Sequence, residues 1–519
     1  MSERSGAQKK RSGFSTTAIA ALLVAGLGAY AYFGEYKGGQ KKDEQKQKDA
    51  IVLKFDADKA VRIEIVNHDT TTVLEKTADG WHLVAPQKDA ADAAVVNGLL
   101  GSLSTERVAE TIAEGVDFQA AKYGLVTPTG HITVKTEDGK SHQINIGSKS
   151  YDASLYAQVD GEQKAILVSN AWDVNLAKQP KELRDRRLLR TDSMIDYDSL
   201  EINVLKPVAT KLKLQKVDAK WTWVDPPSNG FPISQDDVQS YLDKLKALRA
   251  DEFPFEDKTD RAVLKKLGFT SPRISVSLRN SKKADAKEWT LAIAASADDA
   301  KGQAGKLTEP GQMVIAISSD VPALSQISKA AGDALARSAD DVYDRRAPFR
   351  FDSANARLAT IRAGGVVIEA KKSGDVWVLA DKDQAARPKQ ELDSTKMLGL
   401  ILKLGQLRVD RVLKSATPRG LEPAKNSIVF KSEKGDVLID FAWGERYHPT
   451  ESKSGIEDYF ARTVVKDAPK MPKFGLAVAD VDALPVKELI KEKPQPTPAP
   501  TATPAVTGTT SPKAPAPPK

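Results

Sequence analysis

The chain is 519 residues long, 41% hydrophobic and 28% charged, with a formal net charge of +7; that length exceeds one hydrophobic core and implies several domains. It has no cysteine, which excludes disulfides, a thiol nucleophile, a thiolate metal site and a lipidated N-terminal cysteine. The positive charge sits at the ends: nine Lys/Arg against five Asp/Glu give +4 over residues 1–50, and five Lys against two Glu give +3 over 487–519, so residues 51–486 are neutral. A nucleic-acid binder needs a basic face on its folded part, and this distribution argues against one.

Residues Phe14 to Phe33 form 20 consecutive positions without a charge, the length a helix needs to cross a bilayer. Tyr30, Tyr32 and Phe33 stand at one end, where aromatic rings favour the interface, and Lys9, Lys10 and Arg11 precede the run. This predicts a cytoplasmic N-terminus over 1–13, a transmembrane helix over 14–33, a polar linker over 34–50 and an exported remainder. Ala29-Tyr30-Ala31 also fits the small-x-small pattern of signal-peptide cleavage after Ala31; the length of the apolar run favours the uncleaved anchor.

One pattern then recurs three times, predicting repeat domains over 51–192, 193–349 and 350–490. Each opens on an alternating strand: Val61, Ile63, Ile65; Leu200, Ile202, Val204; and Leu358, Thr360, with Ile361 shifting phase. A second strand carries tryptophan at Trp81, at Trp221 and Trp223, and at Trp377. An amphipathic helix follows, with stripes Val95, Val96, Leu99, Leu100, Leu103; Val238, Tyr241, Leu242, Leu245, Leu248; and Met397, Leu400, Ile401, Leu404. Ser234 and Asp237 form an incomplete capping box for the second helix. Glycine turns come next: Tyr123-Gly124-Leu125, Leu267-Gly268-Phe269 and Arg419-Gly420-Leu421, each shortly before a proline. Counted from Trp81, Trp223 and Trp377, the glycine lies 43, 45 and 43 residues on. Positive φ at these glycines is expected. Strands resume around Asp138-Gly139 and Lys434-Gly435, both hairpin-turn signals. The fold class read from this pattern is α+β: an N-terminal transmembrane helix followed by three tandem repeats of a strand-hairpin, a helix and an antiparallel sheet.

The tryptophan strand, the leucine helix, the Tyr123-Gly124-Leu125 turn with Pro128, and Ile144-Asn145-Ile146-Gly147 resemble the bacterial family named domain of unknown function 4340, in three tandem copies over roughly 51–490. The second copy departs from the pattern at Ala294, where the first has Gly147 and the third Gly444. The resemblance implies a membrane-anchored envelope protein, of a kind often encoded beside transporter components like those of the gliding-motility ABC system. It brings no catalytic or ligand residues.

The residues themselves point to no active site, cofactor site or metal site. None of the histidines (His68, His82, His131, His142, His448) precedes a glutamate, so the H-E-x-x-H zinc pattern is missing, as are G-x-S-x-G and the phosphate-cradling P-loop. His131 and His142 could approach across the Asp138-Gly139 hairpin, although two nitrogens make a weak metal site. The tryptophans could stack sugars; their recurrence at equivalent points favours core packing. Arg184-Asp185-Arg186-Arg187 closes the first repeat, and Tyr343-Asp344-Arg345-Arg346 the second. Either set could form an anion site, or its arginines could serve the end of a helix and pair with Asp185 and Asp344 across the seam between repeats; the second reading is preferred.

Nine of the chain's prolines fall in its last 26 residues, so 491–519 reads as a disordered Pro/Ala/Thr-rich tail that could span about 80 Å. It could serve as an inert end or as a tether contacting the cell wall. The expected function is a non-catalytic interaction or scaffold module, single-pass in the bacterial inner membrane with its bulk periplasmic, and an accessory partner of an ABC-type transporter. A cell-wall or polysaccharide binder is the alternative, and a hydrolase with an unrecognised site a third.

Overall fold

The computed structural model describes residues 50–190, 197–226, 231–281, 288–294, 312–413, 417–449, 457–468 and 471–494. The predicted span 14–33, its flanks and the tail from 495 lie outside the described residues. Among the described residues, no helix is long and apolar enough to cross a membrane.

The α+β expectation is corrected: strand accounts for 41% of the described residues and helix for 23%, and the strands form several sheets. The sequence reading placed two strands after each glycine turn, where the chain builds a longer antiparallel run. The first sheet contains β1 (Ala60–Asn67), β2 (Thr70–Thr77), β3 (Gly80–Ala85), β4 (Asp89–Ala90), β5 (Glu110–Glu114), β6 (Gly130–Thr136), β7 (Ser141–Lys149), β8 (Leu155–Val159) and β9 (Lys164–Val168). Their order is β4-β3-β2-β1-β6-β7-β8-β9-β5.

The second sheet comprises β10 (Ser199–Val204), β11 (Thr210–Val217), β12 (Lys220–Trp223), β13 (Glu252–Phe255), β14 (Ile274–Arg279), β15 (Trp289–Ile293), β16 (Met313–Ser318) and β17 (Leu324–Ser328), ordered β12-β11-β10-β14-β15-β16-β17-β13. The third comprises β18 (Leu358–Ala363), β19 (Val366–Ser373), β20 (Val376–Leu379), β22 (Arg411–Val412), β23 (Asn426–Lys431), β24 (Val437–Tyr447), β25 (Asp458–Val465) and β26 (Phe474–Ala477); β21 (Gln390–Leu392) and β27 (Ile490–Glu492) pair separately. Its order, β20-β19-β18-β23-β24-β25-β26-β22, repeats that of the other two apart from β4.

The chain divides into two compact units, one holding residues up to 197 with 202–209 and 242–336, the other holding 198–201, 210–241 and the residues from 337 onward. In the first unit, the helix Ala93–Thr105 buries Val96, Leu99, Leu100 and Leu103 against Ile63, Ile65, Leu83 and Ile132. Asp92 caps it, accepting from the amides of Ala94 and Val95 at 2.9 and 3.2 Å. In the second unit, the helix Ser394–Gln406 buries Met397, Leu400 and Leu404 against Ile361, Trp377 and Phe430, with Asp393 accepting from Lys396 N at 3.1 Å. Ser234 accepts from Asp237 N at 3.2 Å, which forms one half of the expected capping box. The phase of the third opening strand differs from expectation: Ala359 and Ile361 are buried and Leu358 faces outward.

All three glycine turns have positive φ, +70° at Gly124, +81° at Gly268 and +74° at Gly420. At two of them space is also short. A Cβ on Gly124 would lie 2.8 Å from Ser148 N, and one on Gly420 would lie 3.0 Å from Glu445 N. The strand glycines that follow are equally tight, since a Cβ on Gly147 would stand 2.2 Å from Tyr123 O and one on Gly444 2.1 Å from Arg419 O. In the first and third sheets, turn and strand therefore meet glycine to glycine, and the family-like Ile144-Asn145-Ile146-Gly147 has a steric cause. Leu125 and Leu421 behind the turns are buried.

The tryptophan correspondence shifts in the second sheet. Trp81 pairs with Lys76, Trp221 with Lys216 and Trp377 with Lys372, each one step in from the hairpin end. These three are buried, whereas Trp223 is half-buried. Trp221, not Trp223, is thus the structural counterpart of Trp81 and Trp377.

Candidate functional site

The strongest concentration of charge and hydrogen bonding lies where one repeat hands over to the next. Each long helix begins at a residue whose own amide is held by the segment that closes its repeat. Asp92 N donates to Leu183 O, Ser234 N to Val342 O and Asp393 N to Leu489 O, all at 2.8 Å. Each helix is followed by a segment held by the chain that precedes the repeat: Val108 N donates to Ala50 O at 2.7 Å, Ala250 N to Arg186 O at 2.7 Å and Val409 N to Arg345 O at 2.8 Å. The junction residues therefore perform one backbone task at three places.

Side chains reinforce it. Arg186 Nε donates to Ala250 O at 2.6 Å, and its Nη2 to Asp251 O at 2.9 Å. Arg345 Nη1 does the same with Val409 O and Asp410 O at 3.1 and 2.6 Å. Arg187 lies across Asp185 in a forked pair at 2.8–3.1 Å. Arg350 reaches Asp344 at 2.5 Å, so Asp344 is paired, although by an arginine outside the quoted motif.

Arg184 is the exception in depth, only 1% exposed. Its Nε donates to Asp89 Oδ2 at 2.6 Å, its Nη1 to Glu256 Oε1 at 2.9 Å, and its guanidinium lies 3.9 Å from the centre of the Phe253 ring. Asp89, equally buried, also accepts from Arg190 Nη1 and Nη2 at 2.5 and 3.2 Å. Arg190 in turn donates to Asp185 O at 2.6 Å. Among the described residues these guanidiniums face carboxylates and carbonyls, apart from Arg184 Nη2, which is buried without an acceptor. The structural reading of the junction arginines is the one this geometry supports. Asp89, Arg190 and Glu256 take part without any signal that sequence reasoning detected, because Asp89 lies 95 positions from Arg184.

The other candidates separate. His131 pairs with Asn145 and His142 with Val134. Residues opposite each other in a ladder share a face, and positions three apart on one strand do not, so the two histidines lie on opposite faces of the sheet. His142 instead lies 5.9 Å from the Phe55 ring. Among the described residues, no group of three or more His, Asp or Glu is suited to hold a metal. Trp223 donates from Nε1 to Phe231 O at 3.0 Å and meets Tyr343 edge-on at 5.8 Å. With Trp81, Trp221 and Trp377 in the cores, none of the four forms an open stacking platform.

A second polar cluster, which the sequence reading missed, lies in the third sheet. Asp458 is 1% exposed, accepts from Arg411 Nε at 2.8 Å through Oδ2, and keeps Oδ1 buried without a partner. Nearby Asp410 accepts from Ala477 N at 2.8 Å. Burial pushes the Asp410 carboxyl above its ordinary range; the Ala477 amide opposes this, and the charges of Asp458 and Asp480 add to it. Burial likewise raises the Tyr447 hydroxyl to about 12. The cluster joins β22, β24, β25 and β26.

Comparison with known proteins gives one kind of match. The profile of the family described as Domain of unknown function (DUF4340) matches residues 81–228 and 223–425. No curated protein matches the chain, and no solved structure does. The two adjacent matches run from Trp81 to residue 425, more than half of the 519 residues, and they support two copies where the sequence pattern suggested three. The chain belongs to the family described as Domain of unknown function (DUF4340).

Proposed function

We propose that the chain carries a third copy of the family's unit in its last sheet and acts as a non-catalytic interaction module of the bacterial envelope, partnering an ABC-type transporter. The observation that carries this reading is the recurrence of one strand order and one set of junction contacts at three places. Repeated units joined in this way suit extended binding surfaces. The repeat domains are taken as 51–192, 193–349 and 350–490. The uncharged run 14–33, the basic residues before it and the neutral charge of 51–486 support a membrane-associated protein with its bulk in the periplasm.

Affinity purification of the tagged full chain from its own membranes is expected to bring down transporter subunits in fixed ratio. Recovery with sedimented wall material and without transporter subunits would favour the cell-wall or polysaccharide reading instead. Turnover of a wall polymer by the purified chain would overturn the non-catalytic reading altogether.

A further inference from the structure

The first compact unit contains a cavity of about 740 Å³ lined by Lys206, Pro207, Arg273, Ile274, Lys329, Asp333 and Ala336. That volume is in the range of small-molecule sites and far exceeds one inorganic ion. The residues come from the end of β10, the start of β14 and the short helix Lys329–Asp333.

Three cations and one carboxylate surround the cavity. Asp333 accepts from Arg273 Nη1 and from Lys329 Nζ, both at 2.5 Å. Burial raises the Asp333 carboxyl, but the hydrogen bonds from Lys329 and Arg273 outweigh it and leave it below the ordinary carboxylate range. One carboxylate thus holds two cations in place and cannot neutralise both. The Arg273 guanidinium is further under-satisfied, its Nη2 being buried without an acceptor. Lys206, an exposed residue on the same wall, adds a third positive charge. The remaining lining of Pro207, Ile274 and Ala336 is aliphatic. Beside Lys206 and Pro207, Leu205 and Val208 are 51% and 68% exposed, which extends apolar surface along the same segment.

We infer that this cavity binds a small amphiphilic anion, with a carboxylate or phosphate head against Lys206, Arg273 and Lys329 and an aliphatic body along Pro207, Ile274 and Ala336. The charge excess selects the head, since cationic side chains form their strongest hydrogen bonds with ionised oxygens. The volume and the aliphatic wall select the body. This site is independent of the proposed transporter partnership.

Titration calorimetry of the full chain with octanoate, inorganic phosphate and octylamine tests it. Octanoate is expected to bind saturably at one site. Lys206→Gln, which removes a cation with no ion pair among the described residues, is expected to weaken it about tenfold. Ala336→Phe, which fills the cavity, is expected to abolish it. Inorganic phosphate should bind far more weakly, and octylamine not at all. The inference is overturned if octanoate does not saturate, if octylamine binds equally well, if phosphate alone matches octanoate, or if both variants leave octanoate binding unchanged while remaining folded.

Discussion

Asp89→Ala should destabilise the first compact unit by roughly 3–5 kcal/mol, the cost of removing one partner from a buried ion pair. The substitution strips Arg184 Nε of its acceptor at 2.6 Å and Arg190 of its acceptor at 2.5 Å. Arg190 is 12% exposed and can turn towards water, but Arg184 is 1% exposed and already has Nη2 without a partner. The loss should therefore fall mainly on Arg184. Adding Arg184→Met removes the stranded charge, so the double variant should be more stable than Asp89→Ala alone. Chemical denaturation of the three proteins measures this. A double variant less stable than the single would show that Arg184 holds the junction mainly through Glu256 and the Phe253 ring.

Gly124→Val should lower stability by about 2–6 kcal/mol, the sum of backbone strain and overpacking. Two separate costs meet there: φ is +70°, and the new Cβ would press on Ser148 N at 2.8 Å. Gly139 provides the comparison, with φ of +81° and nothing within 4 Å of an added Cβ. Gly139→Val should show the strain alone, about 1–3 kcal/mol. Thermal melts of the two variants separate the contributions. Equal losses would mean that the approach of β7 to the turn carries no weight.

The parts of this fold that were legible in the sequence are those governed by local rules. The helix stripes were, because a 3.6-residue period and an Asp or Ser cap are written within 15 residues. The turn glycines were, because positive φ leaves a residue-type signature. Trp221 and Trp223 could not be told apart by pattern, since the two positions share one face of a strand. Register against β11 decides between them, and that depends on where the hairpin closes. His131 and His142 failed for a related reason: a hairpin turn one residue longer or shorter reverses the face of every later side chain. Strands β8, β9, β16, β17, β25 and β26 lie outside the recurring sequence pattern, and they make the fold mostly β where the pattern predicts α+β.

The junction shows the same boundary between local and distant information. Arg187 with Asp185 is a pair separated by two positions, local to the motif, where a pairing across the seam is the expectation. Arg184 with Asp89 is not legible, because only the return of the closing segment to the start of the helix brings them together. The backbone contacts explain why that return occurs. The closing segment supplies the acceptor for the amide of the N-cap residue in all three helices, a group that the helix cannot satisfy internally.

Hydrogen exchange at three amides tests the shared junction contacts directly. Val108, Ala250 and Val409 each follow a long helix and donate to the segment that precedes their repeat, at Ala50 O, Arg186 O and Arg345 O. All three should exchange slowly in the native full chain, at rates comparable with amides inside the sheets. Exchange at all three as fast as in exposed loops would contradict this, because the segments preceding the repeats would then not be held against the residues that follow the helices.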